Sequence, residues 1–228
     1  MLMDLFGPPA EWPDQDLIAA SHEFDPAITI AAYCSGAFPM PCFPADVYEM
    51  CWWSPIERGI IDLNAFQPSR SLRKSMRRYT TTIDADFEAV IVACASLKRP
   101  GAWLTDQIID VYLDLHRHGY AHSVETRTPT GELVGGLYGV AINGFFAGES
   151  MFHDPAEGTD ASKVALARLI DVLKARNDPA TLLDVQWVTN HLATLGAREV
   201  SRETYLTLLD AALECPETIW PDDRGRHA

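Results

Sequence analysis

The chain has 228 residues, 47% of them apolar, and a formal charge of −14 from 32 Asp and Glu against 18 Lys and Arg. This length and composition suit one large domain, or one domain with a smaller addition, and exclude a disordered or low-complexity chain. The acidic balance argues against nonspecific coating of nucleic acid, and no apolar run approaches the roughly 18 residues that a membrane span needs.

The opening MLMDLFGPPAEWPDQD has neither a basic start nor an apolar signal stretch, so a cytoplasmic protein with no membrane partner is expected. In FDPAITIAAYCSGAF, Asp25 is placed as N-cap, Pro26 at the first helical position and Gly36 just past the end of a short helix. GAFPMPCFP then breaks the chain, and MCWWSP and RGIID read as short strands on either side of Pro55. YTTTID is β-branched and strand-like, DADFEAVIVACASL is a capped amphipathic helix, and Thr105 caps a helix carrying Ile108, Tyr112 and Leu115 that stops at Gly119. AHSVETR, ELVGGLYGVAI and FFAGESMF read as strands, the last two joined by an Asn143-Gly144 hairpin. A long helix capped by Asp160 follows, then the buried strand TLLDVQWV and a closing helix around RETYLTLLDAAL. This order is α+β rather than a βαβ repeat. The five cysteines are odd in number and lack a C-x-x-C pair, so buried or idle thiols are expected rather than a disulfide framework or a zinc site.

One stretch departs from the acidic background. PSRSLRKSMRR, residues 68 to 78, holds Arg70, Arg73, Lys74, Arg77 and Arg78, which leaves −19 on the rest of the chain. With Ser69 as N-cap the five cations fall at i, i+3, i+4, i+7 and i+8, one helix face, over an apolar anchor of Leu72, Met76 and Tyr79. Like charges at that spacing repel by a few tenths of a kcal/mol, so the stripe suits a surface that meets phosphates. Nothing in it reads base sequence.

Together with YCSGAFPM, WWSPIERGII, HSVETRTPTGELVGGLYGVAINGFFAGESMF and DASKVALARLIDVLKARNDPATLLDVQWVTNHLATLGA, this stretch resembles the bacterial leucyl/phenylalanyl-tRNA–protein transferase family over residues 27 to 206. The resemblance implies a leucyltransferase that moves Leu or Phe, less readily Met, from aminoacyl-tRNA to the α-amino group of proteins beginning with Arg or Lys, marking them for N-end-rule degradation. It implies no metal and no dissociable cofactor; a monomer is expected. It also implies a small N-terminal domain ahead of a GNAT-like acyltransferase domain; the expected bounds are 1 to 62 and 63 to 214, and residues 215 to 228, outside the match, are expected to form a mobile tail. By motif, Asp184 and Gln186 are the catalytic pair. Leu137, Phe146, Glu149, Leu166, Leu169 and Leu183 form the donor side-chain pocket, Trp53 and Trp103 hold the aminoacyl-adenosine end, and the basic helix meets the tRNA body.

The chemistry fits those residue types. Aminolysis of an activated ester needs two substrates positioned and polar groups at the tetrahedral centre, more than a strong base. Two apart in a strand, Asp184 and Gln186 project to one face, with Gln186 as the direct contact and Asp184 as a relay for the ammonium proton. Phe146 and Glu149, three apart, fall on opposite faces unless a bulge at Gly148 intervenes. GGLYG lies within a strand pattern and reads as close backbone approach rather than a phosphate loop, and His191 is a candidate polar contact. HDPAEGT makes the connection before DASK longer than the family's usual one. Two alternatives stay open: a GNAT-like N-acyltransferase using acyl-CoA, and a tRNA-binding module without catalysis.

Overall fold

The computed structural model describes residues 6–42, 50–96 and 104–221. In chain order, β1 (Leu17–Ser21), α1 (Pro26–Ser35), β2 (Phe38–Pro41), β3 (Met50–Trp53) and β4 (Glu57–Ile61) lead to α2 (Arg70–Met76), β5 (Thr80–Ile83), α3 (Phe87–Ala95) and α4 (Asp106–Arg117). Then come β6 (Ala121–Arg127), β7 (Leu133–Ile142), β8 (Phe145–His153), α5 (Ala161–Ala175), β9 (Leu182–Gln186), α6 (Asn190–Ala193), β10 (Ala197–Ser201) and α7 (Arg202–Leu213). The α+β order is as expected.

Local chemistry explains most helix ends. Asp25 accepts from Ile28 N at 2.8 Å, Ser69 from Leu72 N at 3.1 Å and Thr105 from Ile108 N at 3.4 Å, as N-caps should. Asp160 departs from its expected role: it sits at the N-cap of α5 with φ 63° but makes no capping bond. Its carboxylate turns instead to Lys163 Nζ at 2.8 Å and Ser75 Oγ at 3.1 Å, which ties α2 to α5.

Two sheets result. A three-stranded antiparallel sheet runs β1-β3-β2, and a seven-stranded sheet runs β10-β4-β9-β8-β7-β6-β5. Only β8 and β9 pair in parallel within the large sheet. One of its faces packs under α5 and α2, through Leu72, Phe146, Leu166, Leu169 and Leu183. The other packs under α1, α3, α4 and α7, through Tyr33, Ile91, Tyr112, Tyr138 and Tyr205.

Three expectations change. The division after residue 62 would put β4 in the N-terminal unit, yet β4 lies between β10 and β9 in the large sheet, so the small sheet ends at Trp53. GAFPMPCFP does not simply break the chain: Phe38–Pro41 forms β2, an edge strand, the one place where Pro39 and Pro41 need no ladder donor. Cys42 and Cys51 are not idle thiols but form a disulfide, with Cα atoms 5.3 Å apart at the end of the β2–β3 pair where the chain passes from one strand to the other. At the far end, Thr218 is buried and donates to Asn143 O at 2.7 Å, and Trp220 stacks on His122 at 4.1 Å. Residues 222–228 lie outside the described residues.

Gly36 closes α1 with φ 90°, and Ala37 N reaches back to Ala32 O at 2.8 Å. A Cβ there would adopt a disfavoured backbone and collide with Leu206 Cδ2 of α7. Gly36→Ala is therefore expected to lower unfolding free energy by more than about 1 kcal/mol, read from the urea midpoint at unchanged slope. An unchanged midpoint would mean that α1 and α7 are free to move apart.

Candidate functional site

A wedge in the sheet creates the site. β8 and β9 are joined only at Phe145–Leu182, Phe146–Leu183 and Ala147–Asp184. Just beyond, each strand carries an extra residue: Tyr138 pairs Ser150 while Gly139 pairs Gly148, leaving Glu149 unpaired, and Ile60 pairs Asp184 while Gly59 pairs Gln186, leaving Val185 unpaired. Bulges bend strands and re-aim side chains, and the two strands splay. A cavity of about 320 Å³ opens between them. Leu137 of β7, Met151 of β8, Leu166 and Leu169 of α5, and Leu183 of β9 give it an apolar wall. Gln186, Glu149, Thr189 and His191 are among its polar residues.

Behind the wall lies a buried ion pair. Arg58 Nε donates to Asp184 Oδ1 at 2.8 Å and Nη2 to Oδ2 at 2.6 Å, with both side chains fully buried. Arg58 also donates to Gly36 O at 3.2 Å and Tyr205 Oη at 3.2 Å, and its guanidinium lies against the rings of Phe38 and Tyr205. Burial works against this cation, but Asp184 more than compensates and raises its pKa. Asp184 in turn accepts from Gln186 N at 2.9 Å and, at a longer 3.4 Å, from Gln186 Nε2. Gln186 sits at φ 59°, a conformation a non-glycine residue keeps only where its surroundings impose it. Gly59 opposite makes room, since a Cβ on it would press on Trp187 C at 3.0 Å.

The expected face-sharing of Asp184 and Gln186 fails for this reason. Leu183 and Val185 line the cavity, while Asp184 points away into the opposite core. Gln186 regains the cavity through the bulge at Val185 and its left-handed turn. An ionised carboxylate only accepts, so the Gln186 amide turns its NH2 to Asp184 and its oxygen away.

Leu137, Leu166, Leu169, Leu183 and Glu149 all line the cavity. Phe146 does not: it is fully buried behind them in the same apolar cluster. The bulge falls on Glu149 rather than Gly148, and Glu149 stays on the face opposite Phe146, reaching the cavity through the wedge. Trp53 stands one layer back, its indole donating to Met40 O at 3.1 Å and packing at 5.9 Å on Trp187, which does line the cavity. Trp103 lies outside the described residues. Sequence reasoning missed Arg58, Trp187, and Phe38 and Met40 of β2. Arg58 left one trace, a charge set into the apolar run RGIID.

Glu149 is the one carboxylate among the described residues of the wall. It is half-buried, with Tyr33 Oη donating to Oε1 at 2.6 Å and Tyr112 Oη to Oε2 at 3.1 Å. Burial pushes its pKa up to about 7, against the pull of both tyrosines, while Asp184 adds to the rise. Across the cavity, burial lowers the pKa of His191, helped by Lys163 and His153. Away from the cavity, Ser69 starts α2 as expected, Leu72 and Tyr79 are buried, and Arg70, Arg73, Lys74, Arg77 and Arg78 are exposed. The helix ends at Met76, so Arg77 caps it and Arg78 lies beyond, 4.0 Å from Glu157.

The family model described as leucyl/phenylalanyl-tRNA protein transferase matches residues 60–210, and the one for its N-terminal domain matches 22–56. The leucyl/phenylalanyl-tRNA–protein transferase of Rhizorhabdus wittichii is 47% identical over 195 residues, covering 83% of this chain and 75% of the relative. That of Paraburkholderia phymatum is 41% identical over 218 residues, covering 92% and 85%. Among solved structures, a tandem GNAT protein from the clavulanic acid biosynthesis pathway is 15% identical, covers 86% of this chain and 61% of its own, and has a TM-score of 0.38.

Removing one partner of a buried pair strands the other charge, whereas replacing both with apolar groups is often neutral. Arg58→Met is expected to cost about 3–5 kcal/mol in urea unfolding, and adding Asp184→Leu to restore much of it. A single-variant loss below about 1 kcal/mol would show that the pair does not hold this corner together.

Proposed function

The chain belongs to the leucyl/phenylalanyl-tRNA protein transferase family, and on that premise we propose that it moves Leu or Phe, less readily Met, from aminoacyl-tRNA to the α-amino group of proteins that begin with Arg or Lys. It would act as a cytoplasmic monomer and mark those proteins for N-end-rule degradation. No helix among the described residues is long and apolar enough to cross a membrane.

The observation that carries this proposal is the apolar cavity with Gln186 in its wall. Leu137, Leu166, Leu169 and Leu183 offer a branched or aromatic donor side chain a surface without charge. At about 320 Å³ the cavity lies at the small end of ligand sites, as one aminoacyl group requires. With the side chain seated there, the ester carbon lies towards Gln186. The free oxygen of the Gln186 amide accepts from the attacking amine and orients it, a positioning role. Asp184 serves by fixing Gln186, because its oxygens are already taken by Arg58 and by Gln186 N. The donor ester is already activated, so no acyl-enzyme and no further cofactor is invoked. Trp53 supports the adenosine end through Trp187, which stands between it and the cavity.

The basic stretch supplies the remaining contact. Five exposed cations on and beside α2, which is tied to α5 through Ser75 and Asp160, meet the tRNA backbone. Cations that hold phosphates add affinity without selecting the amino acid.

Gln186→Ala is expected to abolish transfer of labelled Phe from tRNA to a peptide with N-terminal Arg. Retained activity, or acylation of that peptide from acyl-CoA without tRNA, would overturn the assignment. Arg73→Ala or Arg77→Ala is expected to weaken tRNA binding, to reduce the slope of log K against log salt by about one, and to leave the Leu/Phe ratio unchanged. A shifted donor ratio would contradict this division of labour.

A further inference from the structure

The transfer leaves one proton unassigned. The acceptor enters as an ammonium ion with three hydrogens on nitrogen, and the amide it becomes keeps one. As the N–C bond forms and the ester C–O bond breaks, one proton goes to the departing ribose oxygen. The other needs a base, and Asp184, bound to Arg58 behind the wall, is not placed to take it.

Glu149 is so placed. It is the extra residue of the β8 bulge, set where the strands splay, and it shares the cavity wall with Gln186. Its oxygens belong to a ring of three short contacts: Tyr33 Oη to Oε1 at 2.6 Å, Tyr112 Oη to Oε2 at 3.1 Å, and the two hydroxyls to each other at 2.7 Å. Two tyrosines bring only two hydrogens to these three contacts, so with Glu149 ionised one contact goes without. A proton on Glu149 supplies the third. The ring therefore has a place for that proton: it stays fully hydrogen-bonded when Glu149 takes one up.

We propose that the Glu149 carboxylate, held by Tyr33 and Tyr112 in the cavity wall, is the catalytic base that takes this proton from the α-ammonium and so frees the amine to attack. This rests on the transferase reading above. The groups facing Glu149 are Tyr33 on α1, Arg58 on β4, Tyr112 on α4, Tyr138 on β7 with Cys94 of α3 behind it, Asp184 on β9 and Tyr205 on α7. Burial drives all four tyrosines well above their usual range, and Arg58 is pushed further towards its charged form, so these five keep one protonation state near neutral pH. Burial brings Glu149 itself to about 7, where base and acid forms are both populated.

The test is single-turnover transfer of labelled Phe from tRNA to an N-terminal Arg peptide, from pH 6 to 9, with saturating substrates. The Glu149 pKa is raised, so the base form is lost as pH falls through about 7, and the unaltered protein's rate is expected to fall with it. Glu149→Gln is expected to lose that step, to be slower by about tenfold at pH 7, where about a tenth of the peptide amine is neutral on its own, and to approach the unaltered rate at pH 9, where nearly all of it is. Glu149→Ala with added formate is expected to recover rate at pH 7, which separates a missing base from a disturbed wall. An unchanged pH profile in Glu149→Gln, or a deficit of the same factor from pH 6 to 9, would overturn the proposal. Absence of transfer by the unaltered protein at every pH would instead overturn the transferase reading, and this proposal with it.

Discussion

The Arg58–Asp184 pair is the constraint around which the rest of the structure is arranged. Two fully buried charges cost several kcal/mol each in lost hydration, and their attraction offsets this only with good geometry and further hydrogen bonds. Here the guanidinium fork is matched bidentately, and two further donors go to Gly36 O and Tyr205 Oη. One side chain thereby joins the end of α1, strand β4, strand β9 and helix α7. The small N-terminal sheet cannot drift from the large one while Gly36 and Phe38 are held by Arg58. The same carboxylate holds Gln186 N and keeps that residue at φ 59°.

From that corner the cavity follows. Two bulges, at Glu149 and Val185, end the parallel pairing after three rungs, and the gap becomes a largely apolar slot with a few polar groups in its wall. α5 closes the slot with Leu166 and Leu169, while Phe146 backs the wall without reaching it. Charge is segregated by distance: the cations of α2 stand on the surface on the α5 side, and the cavity keeps Glu149 alone among carboxylates of the described residues. A polyanion and a neutral side chain can thus be held by different parts of one domain.

What the sequence made legible was local. Ser69, Asp25 and Thr105 cap helices because an N-cap is decided within three residues. The leucines of the wall and the D-x-Q pair stood out only through the family resemblance, since core packing and a buried polar pair leave the same local pattern. What escaped it was register. The bulges depend on how β7 meets β8 and how β4 meets β9: the sequence places the one in β8 one residue early, at Gly148, and nothing within LLDVQWV announces the one in β9. Arg58 pairs with Asp184 across 126 positions, so no spacing rule could join them. Pro39 and Pro41 hid β2, because proline argues against a strand unless the strand lies at an edge. An odd cysteine count hid the Cys42–Cys51 bond, as parity says nothing about one pair among five.

The most direct measurement is a crystal structure with a hydrolysis-resistant donor, phenylalanine joined through an amide to the 3′ position of adenosine. The expected result has the benzyl group against Leu137, Leu166, Leu169 and Leu183, the Gln186 amide within hydrogen-bond reach of the reacting centre, and Arg58 still bidentate on Asp184. A benzyl group seated elsewhere, or an Asp184 released from Arg58 and turned to the ligand, would contradict it.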